Sequence, residues 1–108
     1  MKDLTRIAGL LGLARKAGKL ALGSDAVETA LRQRKIFVLV FAEDASRATT
    51  GELERLAMKN DVPVLYLSSR DELGKLVGRE TLAVLGVIDS SFASGITRLI
   101  KESEHSSQ

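Results

Sequence analysis

Two groups of residues in this 108-residue chain have the types and spacing to do chemistry, and both point to charged ligands. The first is Arg15, Lys16 and Lys19, followed by Gly23, Ser24 and Asp25. Cations attract phosphate, and the start of a helix adds unpaired backbone N–H groups with a partial positive charge. A glycine at that point lets a bulky partner come close to the main chain. The combination reads as an anion-docking surface, with nucleic acid the first candidate. The second group is Glu43-Asp44 together with Asp89, carboxylates that each follow an apolar run. At the C-terminal ends of strands in an open α/β sheet they would suit Mg²⁺ or a phosphoacceptor role. The plainer reading makes Asp44 and Asp89 turn or helix-cap residues and leaves Glu43 solvated.

Other chemistries find little support. The chain has no cysteine, which excludes disulfides and thiolate metal sites. Its one histidine, His105, falls in the polar segment 102–108, which lacks apolar anchors and is expected to fray. Gly9, Gly12 and Gly18 form no dinucleotide fingerprint, because no strand precedes them, and no P-loop sequence occurs. The reading is therefore of a protein that is not an enzyme and needs no cofactor or metal. The aromatics Phe37, Phe41, Tyr66 and Phe92 fit strand or helix core patterns. An RNA partner would then be read by shape, phosphate contacts and a helix end rather than by base stacking, which points to a structured RNA.

Charge is distributed unevenly. Residues 1–35 hold eight Lys or Arg against three acids, a local +5 that leaves −3 for the rest of a +2 chain. Such asymmetry favours a polyanion on one face, although basic residues also decorate solvated helix ends. The longest apolar runs, 36–42 and 82–88, are too short to span a bilayer. The N-terminus does not read as a secretory signal. The expectation is a soluble cytoplasmic protein with no membrane partner.

The elements that must position these residues alternate between helical and strand periodicity, the pattern of an α/β domain. Leu4, Ile7, Leu11 and Ala14 mark a first helix stopped by Gly18, and a very short strand leads to Gly23. Ser24 or Asp25 is expected to cap a second helix that buries Val27, Ala30 and Leu31, with Asp25 and Glu28 at capping-box spacing. Residues 37–41 read as a strand buried on both faces. A third helix begins at Ser46 or Thr49 and turns Leu53, Leu56 and Ala57 inward, until 60–63 breaks it ahead of a strand at 64–67. Ser69 and Glu72 form a capping box for a fourth helix stopped by Gly78. A last strand at 83–88 precedes a helix with Phe92, Ile96, Leu99 and Ile100, in which Gly95 implies either fraying or tight packing. The sum is one domain over 1–101, a three-layer αβα sandwich with four strands.

Several segments carry a resemblance: 11–20 (LGLARKAGKL), 23–25 (GSD), 41–46 (FAEDAS), 62–64 (VPV) and 73–78 (LGKLVG). In this order and spacing, over about residues 4 to 100, the chain resembles the ribosomal kink-turn-binding family in its bacterial YlxQ-type branch, related to archaeal and eukaryotic large-subunit and box C/D proteins. The resemblance implies an αβα sandwich with a four-stranded mixed sheet. It also implies RNA held by the glycine-led start of the second helix and by an apolar loop before the last strand. Carried onto this chain, those positions are Gly23, Ser24, Asp25, Ala26 and Thr29, with Arg79, Glu80, Thr81, Leu82 and Ala83 as the second loop. Arg15, Lys16, Lys19 and Arg32 would contact phosphates. The partner implied is a structured RNA, ribosomal RNA among the candidates, with proteins of the same ribonucleoprotein beside it.

The chain departs from the family pattern where it has Asp25-Ala26 for Asn-Glu and Thr29 for Lys. Asp supplies no amide donor and Thr is too short to replace lysine at guanine, so each lost contact would cost about 1–3 kcal/mol of base discrimination. A second reading keeps the fold but makes it a protein-interaction module, which an exposed apolar patch around Leu82 would favour.

Overall fold

The computed structural model describes residues 4–106. Five helices, α1 (Leu4–Lys16), α2 (Ser24–Arg32), α3 (Arg47–Lys59), α4 (Arg70–Leu76) and α5 (Ser90–Ser106), alternate with four strands, β1 (Leu20–Leu22), β2 (Val38–Phe41), β3 (Val64–Tyr66) and β4 (Val84–Val87). The strands form one sheet in the order β1-β4-β2-β3. Pairing of β2 with β3 is parallel, while β4 runs antiparallel to both β1 and β2, so the sheet is mixed.

Strand alternation assigns the layers. Val38, Val40, Leu85 and Val87 face one core with Ile7 and Leu11 of α1, Leu73 of α4 and Ile96 and Ile100 of α5. Leu39, Phe41 and Val84 face the other, with Val27 and Leu31 of α2 and Leu53 and Leu56 of α3. The central strands β2 and β4 are buried at every residue, which is why they read as unbroken apolar runs. At Gly86 a Cβ would lie 2.3 Å from Ile36 Cδ1, so the missing side chain makes room for that isoleucine.

The helices α1 to α4 all close the same way. The second residue beyond each helix is left-handed: Gly18 (φ 71°), Arg34 (φ 58°), Asp61 (φ 57°) and Gly78 (φ 78°). Around each, paired backbone bonds form a Schellman motif, such as Arg34 N–H to Leu31 O at 3.0 Å and Lys35 N–H to Ala30 O at 2.9 Å. Two of these turns were visible as glycines; the other two carry residues that pay a left-handed penalty. Arg34→Gly is accordingly expected to stabilise the domain by about 0.5–1 kcal/mol, after allowing for glycine's extra freedom in the unfolded chain. A lowered urea midpoint would contradict it.

Two helix boundaries depart from the sequence expectation. Ser46 and Ser69 cap as expected, accepting from Thr49 N and Glu72 N. The cap of α2, however, is Gly23 (φ 90°, ψ 163°), with no side-chain bond, and Glu28 hydrogen-bonds Arg32 instead of closing a box with Asp25. The reason is long-range: Gly23 N–H is held by Val84 O at 3.0 Å while its own carbonyl accepts from Val27 N. Lastly, α5 continues to Ser106, through most of the segment expected to fray. Its inward stripe extends past Ile100 to the buried Ser103. Residues 107–108 and the side chain of His105 lie outside the described residues. Gly95 resolves as tight packing, since a Cβ there would meet Leu10 Cδ2 at 3.0 Å.

Candidate nucleic-acid interface

Sheet register decides which candidate residues meet. Leu22 pairs with Leu85, and the bond from Gly23 N–H to Val84 O continues that ladder by one step. Directly before Val84, Ala83 O accepts from Ala42 N at 2.8 Å. The start of α2 and the 79–83 loop therefore leave the same end of the sheet side by side. Ser24, Asp25, Ala26 and Thr29 are all exposed on the first turns of α2. Among the described residues no side chain caps this terminus, so its leading N–H groups are available to an outside acceptor.

The 79–83 loop is pinned along its length. Arg79 N–H donates to Gly74 O at 2.8 Å and Leu82 N–H to Arg70 O at 3.0 Å. Gly74 permits this, because a Cβ there would sit 2.8–2.9 Å from the backbone of Thr81. Arg79, Glu80 and Thr81 are exposed, and Ala83 is half-buried. Leu82 is the exception: it is only 4% exposed and belongs to the core beside Leu73 and Val77. The expected apolar contact is thus turned inward, and the exposed apolar patch that would have favoured a protein-interaction module does not form at Leu82. The outer face of the loop is polar.

The basic residues are spread more widely than their spacing suggested. Lys19 O accepts from Ile88 N at 2.9 Å, which puts Lys19 beside the far end of β4, about 13 Å of extended chain from Gly23. Arg15 and Lys16 close α1, the helix that leads into that far end. The Arg15 guanidinium donates to Val77 O and lies over Gly78, at the end of α4. With Gly12, Lys16 and Leu76 they line an open groove of about 360 Å³. Arg32 is committed on α2, with Nε and Nη2 at 3.1 and 2.9 Å from Glu28 Oε2 and Nη2 at 3.8 Å from Glu52. The hydrogen bond from Arg55 holds the Glu52 carboxyl below its ordinary range, and Arg32 adds to that effect.

The acidic group is not assembled. Because β2 and β4 are antiparallel, Glu43 and Asp44 leave one end of the sheet and Asp89 the other. Asp44 Oδ1 accepts from Arg70 N at 2.8 Å and Asp89 Oδ1 from Phe92 N at 2.9 Å, so both aspartates serve helix starts. Among the described residues no group of three or more His, Cys, Asp or Glu is placed to hold a metal. Two rings are more exposed than their strand pattern implied, Phe37 at 51% and Tyr66 at 44%. They lie at opposite ends of the sheet, and Tyr66 is engaged by Phe41 (centroids 5.7 Å apart) and by Glu54 Oε1 at 3.1 Å. They make no common stacking platform. No helix among the described residues is long and apolar enough to cross a membrane.

Residues 5–96 match the model of the Ribosomal protein L7Ae/L30e/S12e/Gadd45 family. The chain is 33% identical over 91 residues to the RNA-binding protein YlxQ of Bacillus subtilis, covering 84% of this chain and 91% of that protein. It is 32% identical over 91 residues to the large ribosomal subunit protein eL30 of Candida glabrata, covering 82% and 87%. Among solved structures, a protein of unknown function from Bacillus halodurans superposes with a TM-score of 0.83 at 28% identity, covering 88% of this chain and 96% of that one. The 15.5 kD RNA-binding protein of Giardia lamblia shares the fold, with a TM-score of 0.77 at 14% identity over 97% of this chain and 91% of that one.

Proposed function

This chain belongs to the Ribosomal protein L7Ae/L30e/S12e/Gadd45 family, and on that premise we propose that it binds a kink-turn-like RNA through the start of α2 and the 79–83 loop. The family is one of RNA-binding and ribosomal proteins, and the chain is an RNA-binding protein rather than an enzyme. One observation carries the choice of surface: the β1–β4 register that sets Gly23 against Val84, at the root of both segments.

The proposed mechanism divides the work. Backbone N–H groups of Ser24, Asp25 and Ala26 offer an anion site at a helix start, and Arg79 adds a charge at the rim. Ser24, Asp25 and Thr29 present short polar groups to base edges exposed by the distortion. The Asp25 carboxylate accepts from a base amino group. Arg15, Lys16 and Lys19 contact phosphates beyond this patch, and Arg32 joins them only by sharing its bond with Glu28. Phosphate contacts supply affinity and register while the helix start supplies selectivity. On this reading ribosomal RNA is one candidate among structured RNAs, and the cytoplasm is the proposed location.

The test compares a kink-turn RNA with the same RNA after replacement of its G·A pairs, near physiological salt. We expect at least a tenfold preference for the intact kink, about 1.4 kcal/mol. Equal, salt-sensitive binding to both RNAs would replace shape recognition by general phosphate binding. Binding to neither would turn the search to a protein partner.

A further inference from the structure

The last turns of α2 and α3 end side by side, at the end of the sheet opposite Gly23. The chain leaving α2 reaches β2 where Phe37 N–H bonds Val87 O, and the chain leaving α3 reaches it where Leu39 N–H bonds Pro63 O. Between the two helix ends is an open groove of about 190 Å³ lined by Arg32, Arg34, Leu56, Lys59 and Asn60. Every charged residue in that lining is a cation. Arg32 is occupied by Glu28, but Arg34 and Lys59 have no carboxylate within ion-pair distance among the described residues. Asp61, the nearest acid along α3's exit, does not line the groove.

Helix C-termini ordinarily repel anions through their unpaired carbonyls. Here most of those carbonyls are engaged. Ala30 O and Leu31 O accept from Lys35 and Arg34, and Ala57 O and Met58 O accept from Val62 and Asp61. Asn60 Nδ2 crosses between the helices to donate to Leu31 O at 2.9 Å. The side-chain cations are therefore opposed by less of the helix dipole than bare ends would present. Arg34 adds a second signal. It holds a left-handed position (φ 58°) that glycine would take without strain, so the chain keeps a cation where backbone energetics favour none.

We propose that this groove is a second contact for the RNA backbone, in which Arg34 and Lys59 engage phosphates of a duplex arm running from the kink along the outer side of α2. Nine helical residues separate the two contacts, about 14 Å, so one arm can meet both. The inference rests on the RNA-binding reading above.

The test uses the full chain and an Arg34→Gly/Lys59→Gln variant, with salt varied between about 50 and 200 mM. One RNA carries the kink with a long duplex arm, and the other has that arm cut back to the kink. On the long RNA, the variant's plot of log affinity against log salt should be shallower by about 1.4–1.8, the loss of two phosphate contacts. On the cut-back RNA it should match the unmodified chain. Because Arg34→Gly relieves strain, the melting temperature of Arg34→Gly alone should not fall, which separates lost contacts from lost folding. An unchanged slope on the long RNA would overturn the groove, even if kink preference persists. An equal reduction on both RNAs would overturn its assignment to the arm. If kink preference is absent but the slope still falls on a plain duplex, the groove stands and the recognition surface falls.

Discussion

Replacing Gly74 with valine is expected to destabilise the domain by about 2–3 kcal/mol and to weaken RNA binding in the molecules that remain folded. The first atom of the new side chain would lie 2.8 Å from Thr81 Cα and 2.9 Å from Thr81 N and C. These are backbone atoms, so no rotamer change relieves the overlap. Either α4 moves off the sheet or the 79–83 loop lifts away. Lifting the loop breaks the bonds from Arg79 to Gly74 and from Leu82 to Arg70, and draws Leu82 out of the core. Any gain in helix propensity over glycine is worth under about 1 kcal/mol and does not offset this. Chemical denaturation reads the first effect and an RNA titration the second. Unchanged stability together with unchanged affinity would show that the loop yields freely and is no part of the interface.

Gly23→Val should act by a different route. Among the described residues nothing lies within 4 Å of a Cβ built on Gly23, so the side chain meets no neighbour there. Its backbone, at φ 90° and ψ 163°, is in a region that is essentially reserved for glycine, and any L side chain there costs about 1–3 kcal/mol. Relief would require turning the peptide whose N–H bonds Val84 O, which re-aims the first turn of α2. We expect RNA affinity to fall tenfold or more, about 1.4 kcal/mol. Gly23→Ala should lose most of the same amount, because the cost comes from the backbone and not from size. If alanine were silent and valine disruptive, close approach of the ligand, rather than backbone conformation, would explain the glycine.

Local rules made much of the fold legible. Ser46 and Ser69 announced two helix starts, and Gly18 and Gly78 two helix ends, because capping and left-handed turns depend on a few neighbouring residues. The unbroken apolar runs marked the strands buried on both faces. The same rules placed the end of α3 at 60–63 but did not identify Asp61 as its left-handed residue, and they gave no sign of the turn at Arg34, both made without glycine. They also placed the α2 cap one or two residues late, because the bond that fixes Gly23 comes from β4. Gly74 lies inside α4, and only the approach of the Thr81 backbone explains its lack of a side chain.

The candidate site was legible as parts but not as an arrangement. Ser24, Asp25, Ala26 and Thr29 lie exposed at a helix start, as their position implied. Leu82 does not face outward, because an apolar residue between Thr81 and Ala83 gains more by joining Leu73 and Val77 than by exposure. Lys19 and Gly23 are close in sequence yet leave opposite ends of β1, and Glu43 and Asp89 are separated by strand direction. By itself the sequence determined the alternating elements, most of their boundaries and a family resemblance, since periodicity, capping and turn chemistry act over one or two turns of chain. Only the tertiary structure decided which ends of those elements meet. That choice belongs to strand order and register, which bury both faces of β2 and β4 and draw their energy from residues far apart in the chain.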